Sequence, residues 1–379
     1  MPPSLHESSA ALRAALQDAA QGLVERESLV ELIALAAVAG EHLLVIGPPG
    51  TAKSEAARRV ARALGGSVFE YLLGRFTEPS EIFGPIDLRK LKDGVVETET
   101  RGMLPEAEIA FLDEIFLGST AILNTLLALL NERTFRRGST SMKVPLRVCV
   151  GASNQIPDDE ALAAFGDRFL LRAFLDPIAD PRLEELLLGG WSLGSRSEPR
   201  RASMEHLDTL AAAVTRADLA PVRGELAHAI RVLRKHGIAL SDRRAVKVQR
   251  LLAAAAVMAG REHPTAADLW PIVTAVPTRE GQAAARDALR DVLARSENGA
   301  LAAAAAEASL GPLARAARIA AAGVATLAER PAPGDAGALE AWRLKLEGVA
   351  REIDAGFTPA ALPAKLAEVR ADIVAALAG

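Results

Sequence analysis

The stretch from His42 to Glu55 constrains the fold of this chain more than any other. Leu43-Leu44-Val45-Ile46 reads as a buried strand, Gly47-Pro48-Pro49-Gly50-Thr51-Ala52-Lys53-Ser54 as a turn, and the residues from Glu55 onward, with Arg58 and Arg59, as a helix. Strand, glycine-rich turn, Lys-Ser and helix in that order form the setting a phosphate-binding loop requires. The glycines let backbone N–H groups curl toward an anion, and the helix presents its positive dipole end to the same point. Lys53 is placed to reach β- and γ-phosphates, and the Ser54 hydroxyl to ligate Mg²⁺. The second glycine of the pattern is replaced by Ala52, which demands a backbone conformation that tolerates a Cβ. A plain Gly/Pro turn between a strand and a helix leaves Lys-Ser at this position without a reason.

At 379 residues the chain is long enough for two or three domains, and half of its residues are hydrophobic. A net charge of −4 and a pI near 6.0 argue against a protein that coats nucleic acid or an anionic membrane. The single cysteine, Cys149, excludes an intramolecular disulfide and a cysteine-rich metal site. Its apolar surroundings suggest an inert buried thiol. Met1 to Asp18 shows no secretory pattern, and apolar runs such as Leu301 to Ala306 fall far short of the ~20 residues a spanning helix needs, so a cytoplasmic protein is expected.

Taken in order, Leu12 to Gly40 reads as two helices broken at Gly22; Gly22 to Glu27 suits either a solvated helix start or, as in nucleotide-binding enzymes of this layout, the approach that touches the base. The helix from Glu55 ends at Gly65-Gly66, and Ser67 to Leu73 reads as a second strand. Between Pro85 and Arg101, Asp93-Gly94 separates two alternating runs and predicts an inserted β-hairpin. Ile109 to Asp113 reads as a strand buried on both faces, ending in Asp113-Glu114. In a parallel sheet that is the end where ligands collect. There Asp113 can hold Mg²⁺ through water and Glu114 can polarise an attacking water. Thr120 to Glu132 is a helix with Ile122, Leu123, Leu126, Leu127 and Leu130 toward the core, and Arg133 to Lys143 is a second turn region. Leu146 to Val150 makes a fourth strand, followed by Asn154, which suits either a turn or a hydrogen bond to the attacking water or the γ-phosphate. Leu170 to Phe174 makes a fifth. Alternating strands and helices of this length predict a layered α/β fold.

The ordered set Gly47-Pro-Pro-Gly-Thr-Ala-Lys-Ser54, Phe111-Leu-Asp-Glu114, Leu129-Leu-Asn-Glu-Arg-Thr-Phe135, Ala152-Ser-Asn-Gln155 and Asp167-Arg-Phe169 resembles the MoxR branch of the AAA+ ATPases, and within it the RavA group. The resemblance covers about Leu12 to Val276. It implies a five-stranded parallel sheet with helices on both faces, an all-α lid and a helical C-terminal region, with expected boundaries at 1–180, 181–279 and 280–379. It places Lys53 and Ser54 on Walker A, Asp113 and Glu114 on Walker B, and Asn154 on sensor 1. Arg168 falls on the finger that a neighbouring subunit supplies, with Arg172 as an alternative whose position inside a strand suggests a structural ion pair. Ser241-Asp242-Arg243-Arg244 resembles sensor 2, with Arg243 the better match. The Pro85–Arg101 segment resembles the helix-2 insert, and Arg133–Lys143 the pre-sensor-1 insertion.

Such proteins form hexameric rings that hydrolyse ATP with Mg²⁺ at subunit boundaries, with the inserts near the pore. The resemblance further implies chaperone-like remodelling of a partner that carries a von Willebrand factor A (VWA) domain. A nucleic-acid motor is the alternative suggested by Arg89-Lys90-Leu91-Lys92, but Asp93, Glu97, Glu99 and the pI weigh against it. A scaffold that binds nucleotide with little hydrolysis is suggested only by Ala52. Past Arg279 the composition turns alanine-rich, and helices are expected near 281–296, 299–328, 338–355 and 359–377, with Pro331 to Gly337 between the middle pair. Gly189 to Ser197 reads as an exposed loop.

Overall fold

The computed structural model describes residues 2–178, 182–191, 201–331, 336–357 and 362–378. Seven strands are seen in it: β1 (Leu43–Ile46), β2 (Val68–Leu72), β3 (Ile109–Asp113), β4 (Thr134–Arg137), β5 (Thr140–Lys143), β6 (Val148–Ser153) and β7 (Leu171–Phe174). Five of them form one parallel sheet in the order β2-β3-β6-β1-β7, while β4 and β5 pair with each other as an antiparallel hairpin. The central strands β1 and β6 are buried throughout, which is why their sequences run apolar without alternation. At the β2 edge the alternation returns, and Val68 and Leu72 are exposed.

Helices α1 (Leu5–Ala20), α2 (Glu27–Ala39) and α3 (Lys53–Leu64) cover one face of the sheet. Ser4 caps α1 in a reciprocal box with Glu7. The other face carries α4 (Pro79–Phe83), α6 (Thr120–Glu132) and α7 (Glu160–Gly166), while α5 (Leu88–Lys92) lies exposed in the insert. Its core holds Phe83 stacked on Phe135 at 5.7 Å, together with Phe165 and Phe169. Cys149 is fully buried, and burial pushes its thiol up to about 12. Leu127 is only partly buried; Leu129 fills the core position beside Leu130.

The chain continues through α8 (Leu183–Trp191), α9 (Met204–Arg216), α10 (Ala220–Lys235), α11 (Asp242–Met258), α12 (Pro271–Thr274), α13 (Arg279–Ala288), α14 (Arg290–Leu293) and α15 (Ala302–Leu310). The apolar core beneath α2 runs on without a break into α9, α11, α12 and α15. Glu31 of α2 accepts the Ala304 N–H at 2.7 Å and so ties the start of α15 to the nucleotide-binding half. Helices α16 (Pro312–Ala328), α17 (Ala336–Gly356) and α18 (Ala364–Ala378) enclose a separate small core around Ile319, Trp342, Leu346 and Ile373. Among the described residues no helix is long and apolar enough to cross a membrane.

Several sequence expectations change in the structure. The Pro85–Arg101 insert is not a β-hairpin: Asp87 caps the helix α5 by accepting the Arg89 and Lys90 N–H groups, leaving only an isolated bridge between Ile86 and Thr98. The side-chain cap and the helix-forming Leu-Arg-Lys-Leu-Lys run outweigh the turn signal of Asp93-Gly94. The expected helix at 299–328 is two, because Pro312 cannot continue α15 and opens α16 instead. Gly189 and Gly190 lie inside α8 rather than in a loop, and the rest of that predicted loop, 192–197, lies outside the described residues.

The insert and the β4–β5 hairpin are locked together. Ser139 donates from both its N–H and its hydroxyl to the Val96 carbonyl, Thr98 N–H donates to the Thr140 hydroxyl, and Arg137 donates to the Gly84 carbonyl. Gly138 makes this approach possible: its φ is +61°, and a Cβ there would lie 2.4 Å from the Val96 oxygen. Gly138→Ala is expected to open the joint, since forced backbone of this kind costs about 1–3 kcal/mol. The check is hydrogen exchange: the Ser139 and Thr98 amides should exchange faster while the five-stranded sheet keeps its protection.

Candidate nucleotide-binding site

The site is built at the carboxyl ends of β1, β3 and β6, which the parallel register brings level: Ile46 lies opposite Ser153, and Leu112 opposite Gly151. The residue after each strand therefore faces the same space. After β1 comes the loop Gly47–Ser54, after β3 comes Glu114, and after β6 comes Asn154. Gly47 N–H bonds the Ser153 carbonyl at 3.1 Å, which joins the start of the loop to the strand that delivers Asn154.

Lys53 opens α3 and is only 7% exposed. Its Nζ folds back onto the loop, donating to the carbonyls of Gly47 at 2.6 Å and Pro48 at 3.0 Å. Burial lowers its pKa, against the opposing pull of the Asp113 and Glu114 carboxylates. A cation held only by carbonyls within an acid-lined site fits a phosphate that would supply the missing countercharge. Thr51 braces the turn through its hydroxyl, 2.8 Å from the Pro48 carbonyl.

Ala52 adopts φ 61°, ψ 27°, the left-handed conformation that favours glycine, so the departure from the glycine pattern costs the loop about 1–2 kcal/mol. The side chain is accommodated against the core below α2.

Asp113 and Ser54 supply hard oxygen donors of the kind Mg²⁺ takes, and the Ser54 hydroxyl is oriented by Arg58 at 3.2 Å. These residues fit the ion. Glu114 also sits in the left-handed region, at φ 49°, and its Oε1 accepts from Asn154 Nδ2 at 2.6 Å. The structure thus joins the two polar residues that the sequence left 40 positions apart.

The arginines divide differently. Arg168 precedes β7, whose first residue Leu171 pairs with Leu43 at the start of β1, so Arg168 lies at the opposite end of the sheet from the phosphate loop. Four residues of β1 at ~3.3 Å each separate those ends by roughly 13 Å. Arg168 donates to the Ala164 carbonyl. Arg243 lies on the same side: it donates to Asn131 at the end of α6, and its pKa is lowered first by partial burial and next by the charge of Arg168.

Arg244 has a different occupation. It is 2% exposed and bonds Asp167 at 2.5 Å together with the carbonyls of Phe169, Leu170 and Ala275. It fastens α11 to the root of β7. Arg172 makes no ion pair of the kind expected among the described residues: its guanidinium donates to the Gly166 carbonyl at 2.6 Å, and burial with neighbouring Arg244 pushes its pKa down to about 9.

Sequence reasoning placed the segment Gly22–Glu27 near the base but did not single out Arg26. It is buried at the start of α2 and donates to the Thr51 carbonyl inside the phosphate loop. No motif marks it; the sign available in the sequence is a lone arginine immediately before an apolar helix.

A phosphate-binding loop at the carboxyl end of a central parallel strand, with acids at the same end of β3 one strand beyond β6 and a helical lid behind, defines a P-loop nucleoside-triphosphatase fold of the AAA+ class. Residues 10–212, more than half of the chain, match the family described as the MoxR domain in the MoxR-vWA-beta-propeller ternary systems, and residues 217–284 match an AAA lid domain. The chain belongs to the MoxR family of AAA+ ATPases.

Two uncharacterized proteins of Methanocaldococcus jannaschii are similar to it, at 34% identity over 65% of this chain and 66% of theirs, and 36% over 65% and 64%. The chain thus spans just under two thirds of the length of these relatives. Protein MoxR of Paracoccus denitrificans is 30% identical over 40% of this chain and 46% of its own. A crystal structure from Cytophaga hutchinsonii superposes with a TM-score of 0.60 at 15% identity, covering 77% of this chain and 97% of that one, which shows a shared fold.

Proposed function

We propose that this protein is a Mg²⁺-dependent ATPase of the RavA-like group, working in the cytoplasm as a homo-hexameric ring that remodels a protein partner. The division into a nucleotide-binding core at 1–180, a lid at 181–279 and a helical region at 280–379 belongs to the same reading. Lys53 and the loop Gly47–Ser54 hold the phosphates, and Ser54 and Asp113 hold the ion. Bound Mg²⁺ would neutralise charge on the phosphates. Glu114 takes a proton from the attacking water, which Asn154 orients. Arg168 and Arg243 act on the nucleotide of the adjacent subunit.

The observation that carries this reading is the split of the polar residues between two ends of one sheet. Lys53, Asp113, Glu114 and Asn154 gather at the carboxyl end, and Arg168 with Arg243 gather at the other. An arginine set roughly 13 Å along the strand from the loop cannot neutralise charge on its own subunit's γ-phosphate, but it can reach across a boundary.

The partner is a protein carrying a vWA domain, supported by the family's description as part of MoxR-vWA-beta-propeller ternary systems. The insert–hairpin unit lies toward the pore and meets the client.

Steady-state ATP hydrolysis measured against protein concentration, with particle mass recorded alongside, tests the reading. Turnover per subunit should rise cooperatively as rings form, and Lys53→Ala should abolish nucleotide binding. Constant turnover from a particle of monomer mass would sink the ring and the trans arginine together.

A further inference from the structure

Arg26 is 4% exposed, and its guanidinium is spent on backbone carbonyls: Nε donates to Thr51 at 2.9 Å, Nη1 to Glu25 at 2.8 Å and Nη2 to Asp176 at 2.8 Å. It therefore ties together three segments that meet at the nucleotide site, namely the approach to α2, the phosphate loop and the exit of β7. Burial lowers its pKa against the pull of the Glu25, Glu307, Glu27 and Asp176 carboxylates, and a charge so buried is costly to retain for packing alone. Its position on the Thr51 carbonyl gives it a use.

In a trans peptide the C=O and the following N–H point in opposite directions. The guanidinium draws the Thr51 carbonyl toward the start of α2, and so turns the Ala52 N–H the other way. That N–H finds no hydrogen-bond acceptor among the described residues. The same peptide leads into Ala52 at φ 61°, where an alanine is strained and a glycine would not be. Left to itself, an alanine here would relax and rotate the amide away.

We propose that Arg26 is a positioning residue for nucleotide binding: it fixes the Thr51–Ala52 peptide so that the Ala52 N–H faces the phosphates, and thereby lets an alanine stand where the loop pattern has glycine. The inference rests on the reading of Gly47–Ser54 as a nucleotide site. Arg26 touches the loop backbone, and its effect on nucleotide passes through that backbone.

The test is titration of the full chain with fluorescent ADP and Mg²⁺, with thermal melting as a control for folding. Binding by the wild type and its loss in Lys53→Ala establish the site; no binding by the wild type would overturn the functional reading itself. Given a wild type that binds, Arg26→Gln is expected to raise Kd about 10–100-fold, the scale of one misdirected hydrogen bond to a charged group. The KM for ATP should rise with it, and by a larger factor than kcat falls. Arg26→Lys, which has one nitrogen and cannot span three carbonyls, is expected to weaken binding in the same direction, and it serves if the glutamine variant does not fold.

The distinguishing measurement is Ala52→Gly placed on the arginine variant. If the arginine works by holding a strained alanine, glycine should recover about fivefold there, more than it gains beside an intact Arg26. A folded Arg26 variant with wild-type Kd would overturn the proposal, and so would a glycine effect of equal size in both backgrounds.

Discussion

Arg168→Ala is expected to lower ATP turnover by about 10³–10⁵-fold, the range an arginine finger supplies, while leaving nucleotide binding by each subunit intact. The expectation follows from the chain's topology. Arg168 sits where α7 gives way to β7, at the amino end of the sheet, beside Arg243 and the end of α6. It lies at the far end of the sheet from its own subunit's phosphate loop, so its removal should leave affinity untouched and act on the charge that develops in the transition state.

A complementation measurement separates this from a structural loss. On the proposed reading, Lys53→Ala subunits are expected to bind no nucleotide yet present Arg168, whereas Arg168→Ala subunits are expected to bind nucleotide yet present no finger. Mixed in one ring, the two inactive proteins should recover a fraction of wild-type turnover set by how often they alternate. Mixed rings of confirmed composition that stay inactive would sink the trans assignment. A fall in ATP affinity in Arg168→Ala alone would place the residue at its own subunit's site instead.

What the sequence could and could not foretell follows the range of the forces involved. The phosphate loop, the strand ending in Asp113-Glu114 and helix α6 were legible because each is specified by neighbours in the chain: a buried run and its turn, or the Ser119 hydroxyl that caps α6 from the Ile122 N–H. The α5 insert misled because two local signals compete there, and the Asp87 cap outweighed Asp93-Gly94.

Arg243 and Arg244 are adjacent on one helix, about 100° apart around its axis, and no local rule says which faces inward. Packing decides: Arg244 meets Asp167 and the carbonyls of Phe169, Leu170 and Ala275, leaving Arg243 for Asn131. Arg26 was illegible for the same reason in stronger form, since two of its acceptors, on Thr51 and Asp176, lie 25 and 150 residues away. Residues set in a local motif are legible in the sequence, and residues held by long-range contacts are visible only once the chain has folded.

Glu114→Gln should retain ATP and lose hydrolysis by about 10²–10⁴-fold, the contribution of a positioned general base. Glutamine keeps the length of the side chain and can still accept from Asn154 Nδ2 through its oxygen, so the contact now spanning 2.6 Å survives. The left-handed backbone at Glu114 is unchanged in its demands, because both residues carry the same Cβ. What is lost is the capacity to take a proton.

The measurement is a single-turnover reaction with radiolabelled ATP, read for bound ATP and bound ADP over time. Wild type should accumulate ADP, and Glu114→Gln should hold ATP at near-native affinity. Asn154→Ala makes the complementary case. It frees the Glu114 carboxylate but removes the group proposed to orient the water, so turnover should fall while the proposed base remains. If Glu114→Gln turned over within tenfold of wild type, the base would have to lie elsewhere. The Asn154–Glu114 contact would then be a means of closing the carboxyl end of the sheet, and catalysis would rest on the phosphate loop and the arginines across the boundary.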